Sequence, residues 1–456
     1  MVDIPVTGEL SARGRSTTLL QRGWRRFCRI MVRIFYRRRE AHGLHKIPPQ
    51  GPVLLCANHP NALADPIIIQ AFCPRIVHPL ARSGLFEHPL MRPFLTIIQA
   101  VPIYRRQDAG SDIRRNVESF ARCHEFLAQG EVLLIFPEGQ THSDAELRTI
   151  RTGAARLARG SVEATGTAPT VLPVGLTFSR KGHFRGSVLL EVGDAVDISS
   201  LEGEQPEDTV RRVTGMIENG LRAITINAET PDDIELSRRL ERFFALRRGR
   251  YRRSSLRQRF RALKKLIDSQ RILRERAPEQ VANLSRHLFH FERLCRHFGV
   301  HDYYLTLHYN AGAVTRFVLR TLFMLVVILP LALWGLINSG VPLILTKNLV
   351  PRLAKGSQEY DTARMTLALA VFVVVWLVQS AIVFWLVGGV YTLLYVLSLP
   401  PATAATVLMY KEKGRIVDNI RGFFLFLRKR RVRDYLEARR KELERELAQM
   451  VRILKR

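Results

Sequence analysis

The stretch GPVLLCANHPNALADP, residues 51–66, determines how the first half of this chain is organised. It begins with an apolar run of the length of a strand that is buried on both faces. His59 and Asp65 follow this run, on either side of a turn that Pro60 and Asn61 favour. Titratable groups placed at the end of a buried strand are typical of a reactive site.

Short apolar runs alternate with helical patterns over residues 45–200. The strand-like runs are GPVLLCAN (51–58), EVLLIFPEG (131–139), TVLPVGLTF (170–178) and SVLLEVGDAV (187–196). RRNVESFARCHEFLAQG, residues 114–130, has a helical pattern. This order predicts an α/β domain over residues 45–230, a mixed sheet covered by helices. In such folds the ends of the strands hold the ligand.

The balance of charges indicates an anionic partner. The 456 residues include 70 Lys and Arg against 41 Asp and Glu, a formal net charge of +29. The basic residues flank apolar stretches, and the sequence has no helix-turn-helix, zinc or aromatic-rich strand signature. We therefore expect anionic membrane lipids, and no nucleic acid, as partners. The five cysteines have neither paired nor metal-type spacing, which predicts a reduced cytoplasmic setting and no metal site.

Two stretches without any charged residue, 321–346 and 366–410, predict transmembrane helices. Both exceed the roughly 20 apolar residues that cross a bilayer as a helix. The second stretch fits one long tilted span or two spans hinged at Gly388-Gly389. We favour one span from each stretch, which gives about two spans in the region 314–410.

Basic sequence lies on both sides of this apolar region. Residues 231–313 predict a helical extension with an unusually basic middle, and residues 411–456 end in a charged helix with leucines on one side. That last helix could dock on the protein or pair with a copy of itself. An even number of crossings would keep both basic regions, and the α/β domain, on the cytoplasmic face of an integral membrane protein.

Residues 1–44 contain an arginine-rich stretch, 18–37, with helical spacing of its apolar residues. These are Leu20, Trp24, Phe27, Met31 and Ile34, with arginines between them. The pattern predicts a basic amphipathic helix that lies in the headgroup layer of a membrane. The alternative is a solvated helix docked on the next domain. The N-terminus has no apolar core of the signal-peptide type, which argues against secretion.

His59 and Asp65 form the first candidate catalytic pair. A neutral imidazole can take a proton from an alcohol, and a carboxylate on its other nitrogen fixes the tautomer and stabilises the imidazolium that forms. Because a separation of six does not stack two side chains on one helix face, a turn must bring them together. A structural His and Asp in a turn is the alternative.

Two further stretches place polar groups at strand ends. IFPEGQTHSD, residues 135–144, presents Glu138 before Gly139, a residue that lets the backbone approach a ligand closely. A solvated glutamate at a strand end is the alternative. AVPIYRR ends in Arg105 and Arg106, and guanidinium groups there suit bidentate binding of phosphate. A pair of surface arginines is equally common.

The order of these motifs resembles the glycerolipid acyltransferase family, which acylates glycerol phosphate and its lyso products. NHPNALADP, AVPIYR, FPEG and VLPVGL follow one another within residues 45–200, the part of the chain that the resemblance covers. FPEGQTHSDAELRTIRTGAARLA, residues 136–158, is most similar to the glycerol-3-phosphate/dihydroxyacetone-phosphate acyltransferase-like branch. The C-terminal apolar stretches also fit that branch.

The resemblance implies roles for individual residues. His59 would be the catalytic base and Asp65 its partner. Arg105 would hold the phosphate of the acceptor, and Glu138 and Gly139 would line the acceptor pocket.

Three features depart from the commonest family pattern. Five residues, not four, lie between the histidine and the aspartate, a longer form that this branch accepts. Arg151 stands where a lysine is usual, and is a candidate substrate-binding residue together with Arg106. Because Arg106 stands where the branch commonly has proline, either Arg105 or Arg106 could contact the phosphate.

The resemblance implies a membrane-bound O-acyltransferase that needs no cofactor. It would move a fatty acyl group from acyl-CoA or acyl carrier protein to a hydroxyl of glycerol 3-phosphate, in phospholipid biosynthesis. An acyltransferase acting on lysophosphatidate (1-acylglycerol 3-phosphate) is the alternative within the family. A catalytically silent membrane scaffold is the alternative of a different class. A hydrolase is disfavoured because the G-x-S-x-G nucleophile motif is missing.

Overall fold

The structure is a computed structural model that divides into two compact units. It describes residues 18–87, 89, 91–105, 113–142, 144–179, 185–198, 205–247, 254–298, 311–353, 360–428 and 430–455. The first unit comprises Met1–Asn227 and Ser255–Phe260, and the second comprises Ala228–Ser254 and Arg261–Arg456.

The first unit contains a mixed sheet of seven strands. They are β1 (Tyr36–His42), β2 (Val53–Ala57), β3 (Val77–Arg82), β4 (Val101–Ile103), β5 (Val132–Ile135), β6 (Thr170–Phe178) and β7 (Gly186–Val192). Their order in the sheet is β1-β7-β6-β2-β5-β3-β4. Only β6 and β7 are antiparallel neighbours, and the other pairs are parallel. The predicted α/β fold with a mixed sheet is confirmed.

The described residues of the first unit include seven α-helices and two short 3-10 helices, Leu44–Lys46 and Ile113–Arg115. The α-helices are α1 (Leu19–Phe35), α2 (Ala64–Phe72), α3 (Gly84–Glu87), α4 (Arg92–Ile97), α5 (Asn116–Ala128), α6 (Gly153–Thr165) and α7 (Pro206–Ile224). All five residues of β2 are buried, as expected of a central strand with a parallel neighbour on each side. Apolar residues of α5, α6 and α7 pack in one cluster with Leu54, Cys56 and Leu133 of the sheet.

The sheet begins before residue 45, where we placed the start of the α/β domain. Strand β1, YRRREAH, pairs in parallel with β7 at the edge of the sheet. Its arginines give it no strand-like apolar pattern, but edge strands tolerate charge because one side of their backbone faces away from the sheet. Glu40 of this strand accepts the backbone N–H of Leu256 and of Arg257.

Helix α1 packs on the rest of the first unit through a face that shares only Met31 with the predicted apolar set. Cys28, Met31 and Val32 are buried, and the Arg25 and Arg29 side chains donate to carbonyls at the end of α2. The apolar residues therefore cover two adjacent arcs, of which one packs against protein. The other arc is exposed at Leu19, Leu20, Ile30 and Ile34.

The second unit is helical. Its helices are α8 (Pro231–Arg247), α9 (Leu256–Arg276, whose first turn lies in the first unit), α10 (Pro278–His297), α11 (Ala311–Phe323), α12 (Leu329–Leu353), α13 (Tyr360–Val387), α14 (Gly389–Arg428) and α15 (Arg430–Lys455). Leu436, Leu443 and Leu447 of α15 are buried in one apolar cluster with residues of α8 and α10. The C-terminal helix thus docks on the protein, the first of the two alternatives.

Within the described residues, three helical segments are long and apolar enough to cross a membrane, where we favoured two spans. They are Val318–Arg352, Leu367–Val387 and Gly389–Tyr410. The second apolar stretch is divided at Gly388, whose φ of +82° suits a residue without a Cβ atom. The hinge therefore produces two helices from a stretch that composition alone allows to be one.

Small residues allow two of these apolar helices to approach closely. A Cβ atom added to Gly335 in α12 would overlap the backbone of Ala402 in α14. Hydrogen bonds cross the same contact, from Thr406 Oγ1 to the Ala332 carbonyl at 2.8 Å and between the hydroxyls of Ser339 and Thr403 at 2.5 Å. Close packing of small residues and interhelical hydrogen bonds are what hold helices together in lipid.

Candidate active site

The candidate residues lie where parallel strands of the sheet end. His59 follows β2, Arg105 follows β4 and Glu138 follows β5. These strands run in the same direction, because β2 is parallel to β5, β5 to β3 and β3 to β4. Their carboxyl ends therefore meet at one edge of the sheet, the edge at which α/β folds bind ligands.

Asn58 fixes the end of β2 to its neighbour β6. Its side-chain Oδ1 accepts the Leu176 N–H at 2.7 Å, and its Nδ2 donates to the Leu176 carbonyl at 3.1 Å. The chain then turns through Ala62, which has a φ of +39°. Helix α2 begins two residues later at Ala64. The longer spacing between His59 and Asp65 is accommodated in this turn.

The turn brings His59 and Asp65 together. His59 Nδ1 lies 2.9 Å from Asp65 Oδ2, and the Asn61 N–H donates to the same oxygen at 2.7 Å. The Asp65 side chain is fully buried, and that of His59 is 17% exposed. Asp65 lies in the first turn of α2, where the positive end of the helix dipole favours a carboxylate. The pairing at Nδ1 leaves Nε2 of His59 to act on a substrate.

Phe136 also fixes the orientation of the histidine ring. The two rings stack with their centroids 3.9 Å apart and an interplanar angle of 19°. The sequence analysis did not identify this contact. Phe136 precedes the Pro137-Glu138-Gly139 turn, but nothing in the sequence shows that this turn lies beside the one after β2.

Two arginines meet at Gly139. Arg105 Nη1 donates to the Gly139 carbonyl at 2.9 Å. Gly139 has a φ of +72°, and a Cβ atom added there would lie 2.8 Å from Arg151 Nε. The side chain that approaches this glycine is thus that of Arg151, which is exposed. Arg106, the other candidate for phosphate binding, lies outside the described residues.

Glu138 is buried and bonded to protein through both carboxylate oxygens. Oε1 accepts the His59 N–H at 2.8 Å. Oε2 accepts the Arg148 N–H at 3.2 Å and contacts Nε2 of His142. The Glu138 side chain has no exposed surface.

Cys56, three residues before His59, is not suited to act as a nucleophile. It is fully buried in β2, and burial raises the pKa of its thiol well above the ordinary value. Among the described residues, no three His, Cys, Asp or Glu side chains are grouped closely enough to hold a metal ion.

Comparison with known protein families identifies this part of the chain. Residues 38–177 match the Acyltransferase family. The chain contains an acyltransferase domain. The predicted acyltransferase domain is confirmed, and the matched residues include His59, Asp65, Arg105, Glu138 and Arg151.

Known relatives of the acyltransferase domain are named as acyltransferases of glycerol 3-phosphate or of 1-acylglycerol 3-phosphate. The domain is 33% identical over 133 residues to glycerol-3-phosphate O-acyltransferase 2 of Saccharomyces cerevisiae. This match covers 27% of this chain and 18% of the yeast protein. It is 24% identical over 192 residues to 1-acyl-sn-glycerol-3-phosphate acyltransferase of Borreliella burgdorferi, which covers 40% of this chain and 72% of that protein. The chain spans less than a fifth of the yeast glycerol-3-phosphate acyltransferases that it matches.

The chain is also similar to solved structures. One of them is the crystal structure of the 1-acyl-sn-glycerophosphate acyltransferase from Thermotoga maritima. The match has a TM-score of 0.34 and 19% sequence identity, and covers 45% of this chain and 79% of that one.

Proposed function

We propose that this protein is a membrane-bound O-acyltransferase that moves a fatty acyl group from an acyl thioester to a hydroxyl of glycerol 3-phosphate. The observation that carries this proposal is the pairing of His59 with the buried Asp65 at the end of a central strand. The acyltransferase domain and its glycerolipid relatives support the class of reaction.

The mechanism is direct acyl transfer. Nε2 of His59 takes the proton of the acceptor hydroxyl, and the oxygen attacks the carbonyl carbon of the thioester. Asp65 holds the Nδ1–H tautomer and stabilises the imidazolium that forms. When the carbon–sulfur bond breaks, the imidazolium returns its proton to the leaving thiolate. The products are an ester and a free thiol, and His59 is neutral again.

Arg105 and Arg151 are proposed to bind the phosphate of the acceptor. Both guanidinium groups lie against Gly139, beside the turn that contacts His59. Two fixed positive charges near the base would hold a phosphate while its neighbouring hydroxyl reacts. Lysophosphatidate carries the same phosphate and one more acyl chain, so it is the second candidate acceptor, favoured by the relative from Borreliella burgdorferi.

The donor is proposed to be acyl-CoA or acyl carrier protein. Both present a phosphopantetheine thioester, and the net charge of +29 favours the approach of either anionic carrier. The acid–base steps at His59 require no cofactor or metal ion.

We place the acyltransferase domain on the cytoplasmic face of the membrane. Helix α15 follows the three apolar segments and packs on α8 and α10, which precede them. Sequence before and after the apolar region therefore lies on one side, which requires an even number of crossings. We propose that two of the three segments cross, and the basic residues before and after the region favour the cytoplasm for that side.

Helix α1 is proposed to contact the lipid surface through its exposed arc. Leu19, Leu20, Ile30 and Ile34 lie on this arc. On a helical wheel, an adjacent arc carries four further residues, Arg22, Arg26, Arg29 and Arg33, all exposed. An apolar arc beside a row of cations fits the boundary between acyl chains and anionic headgroups.

An acyl-transfer assay tests the proposed reaction. The full-length protein, purified in detergent, is offered glycerol 3-phosphate and lysophosphatidate separately, each with labelled long-chain acyl-CoA and then with acyl carrier protein as the carrier. His59→Ala is compared with wild type and with His45→Ala, a matched control because His45 is exposed in the same unit.

We expect wild type and His45→Ala to acylate glycerol 3-phosphate, and His59→Ala to be inactive although it is folded. Acylation of lysophosphatidate but not of glycerol 3-phosphate would identify lysophosphatidate as the acceptor. Failure of wild type with both acceptors and both carriers would overturn the enzyme assignment and favour the catalytically silent scaffold.

Labelling with a membrane-impermeant thiol reagent tests the topology. Glu279→Cys in α10 places an exposed thiol before the apolar region in the chain, and Glu442→Cys in α15 places one after it. The five native cysteines are buried. In sealed vesicles of known orientation we expect both positions to be labelled from the cytoplasmic side only. Labelling from opposite sides would show an odd number of crossings.

A further inference from the structure

The carboxylate of Glu138 accepts hydrogen bonds from two parts of the chain, the turn after β2 and the loop after β5. It accepts N–H groups from His59 after β2, from His142 in the loop after β5, and from Arg148 further along that loop. The side chain is fully buried. A buried carboxylate is tolerated only when donors compensate for its lost hydration, and these three N–H groups do so.

The backbone of His59 is held on both sides by this loop. Its N–H donates to Glu138 Oε1 at 2.8 Å, and its carbonyl accepts the His142 N–H at 3.3 Å. The ring is held separately by Asp65 and Phe136. The loop that contains Glu138 and His142 therefore sets the position from which the His59 ring projects.

The contacts of His142 define its tautomer. The Asp144 N–H lies 3.3 Å from Nδ1, so this nitrogen accepts a hydrogen bond. In the neutral ring the proton then lies on Nε2, which contacts Glu138 Oε2. His142 thus donates from Nε2 to the Glu138 carboxylate, and its side chain is only 7% exposed.

We propose that Glu138 and His142 are positioning residues that fix His59, and that Glu138 is not a ligand of the acceptor. The inference rests on the proposed function, because it assigns these residues to the base of that reaction. The Glu138 side chain has no exposed surface, so an acceptor hydroxyl could reach it only if one of the groups that bury it moved away, and a buried group left unpaired is costly. Because the pair acts through the backbone of His59, its loss should slow catalysis without weakening the binding of the acceptor.

Variants at His142 test the inference. His142→Ala removes the donor to Glu138, whereas His142→Gln can supply an N–H at a similar distance from the backbone. For His142→Ala we expect kcat to fall roughly 10²-fold, the scale of a small misplacement of a catalytic group, with the acceptor KM within about twofold of wild type. We expect kcat of His142→Gln to be about tenfold higher than that of His142→Ala, and kcat of His45→Ala to equal that of wild type.

Hydrogen exchange gives a readout that does not depend on activity. The amide of His59 is protected by Glu138, so peptides covering residues 57–66 should exchange about tenfold faster in His142→Ala than in wild type, and at the wild-type rate in His142→Gln. If wild type acylates no acceptor but the two His142 variants show this pattern of exchange, the proposed function is overturned. The positioning of His59 by Glu138 and His142 is then retained.

Three results would overturn the inference. One is an acceptor KM that rises in His142→Ala while kcat is kept, which would make the pair part of the acceptor site. Another is an unchanged exchange rate at residues 57–66 in His142→Ala. The third is a loss of activity in His142→Ala that accompanies a loss of thermal stability and is not recovered in His142→Gln. That result would show that the pair has a structural role only.

Discussion

His59 Nδ1 lies 2.9 Å from Asp65 Oδ2, although five residues separate the two in the chain. The aspartate is inaccessible to solvent and also accepts the Asn61 N–H, so it is fixed before it meets the histidine. A carboxylate held in this way selects the Nδ1–H tautomer of the imidazole and directs Nε2 towards a substrate.

Replacement of Asp65 by Asn should abolish most of the activity while the fold is kept. The amide is nearly isosteric with the carboxylate, but it carries no negative charge to stabilise the imidazolium. We expect kcat to fall roughly 10²–10⁴-fold, the usual contribution of general acid–base catalysis. Steady-state kinetics and a thermal melt measure the two effects. Activity within threefold of wild type would show that the pair is structural.

Gly139→Ala should weaken acceptor binding more than it slows the reaction. The added Cβ would lie 2.8 Å from Arg151 Nε, and a φ of +72° costs an alanine about 1–2 kcal/mol. We expect a lower melting temperature and an acceptor KM raised about 3- to 10-fold, because Arg151 must move.

Gly215→Ala is the matched control for that substitution. Gly215 lies inside α7, and a Cβ atom there would meet nothing within 4 Å. Helix propensity predicts a neutral or slightly stabilising effect. An unchanged KM in Gly139→Ala would remove Arg151 from the acceptor site.

Thiol reagents should leave the native enzyme active. All five cysteines are buried, and burial raises the pKa of Cys28 to about 12 and that of Cys56 higher still. Both thiols therefore stay protonated and unreactive at neutral pH. We expect activity to survive treatment with N-ethylmaleimide at pH 7–8, and five thiols to react once the protein is unfolded. Rapid inactivation of the native enzyme would indicate a cysteine that takes part in catalysis.

Gly335→Ala should destabilise the bundle of apolar helices. Its Cβ would overlap the backbone of Ala402 in α14, so the two helices must separate. Overpacking of this kind costs roughly 1–3 kcal/mol. In the same helix, a Cβ added to Gly340 would meet only the side chain of Leu336, at 3.8 Å, so Gly340→Ala is the control. Thermal unfolding in detergent compares them, and equal melting temperatures would contradict the contact.

Buried strands could be predicted from the sequence, whereas the exposed edge strand β1 could not. Strands β2, β5, β6 and β7 were predictable because they contain the runs of Val, Leu and Ile that a buried sheet requires. Strand β1 was not, because its exposed edge tolerates three consecutive arginines, Arg37 to Arg39. The division of the second apolar stretch depends on the backbone conformation of Gly388, which composition does not fix.

The sequence by itself determined that the chain contains an acyltransferase domain and which residues are candidates for its chemistry. A histidine and an aspartate after one buried strand, and a glutamate after another, place acid–base groups at strand ends wherever those strands lie in the sheet. The apolar stretches likewise determined that part of the chain suits a bilayer, because length and hydrophobicity are properties of composition.

Only the tertiary structure decided how these groups contact one another. Strand order places the turn after β5 beside the turn after β2, and this brings Glu138 to the backbone of His59 and Phe136 to its ring. It also gives Glu138 three protein donors, the observation behind the proposal that this residue positions His59 and does not bind the acceptor. Contacts between residues about 80 positions apart depend on which strands are neighbours, and that is set by the packing of the whole sheet.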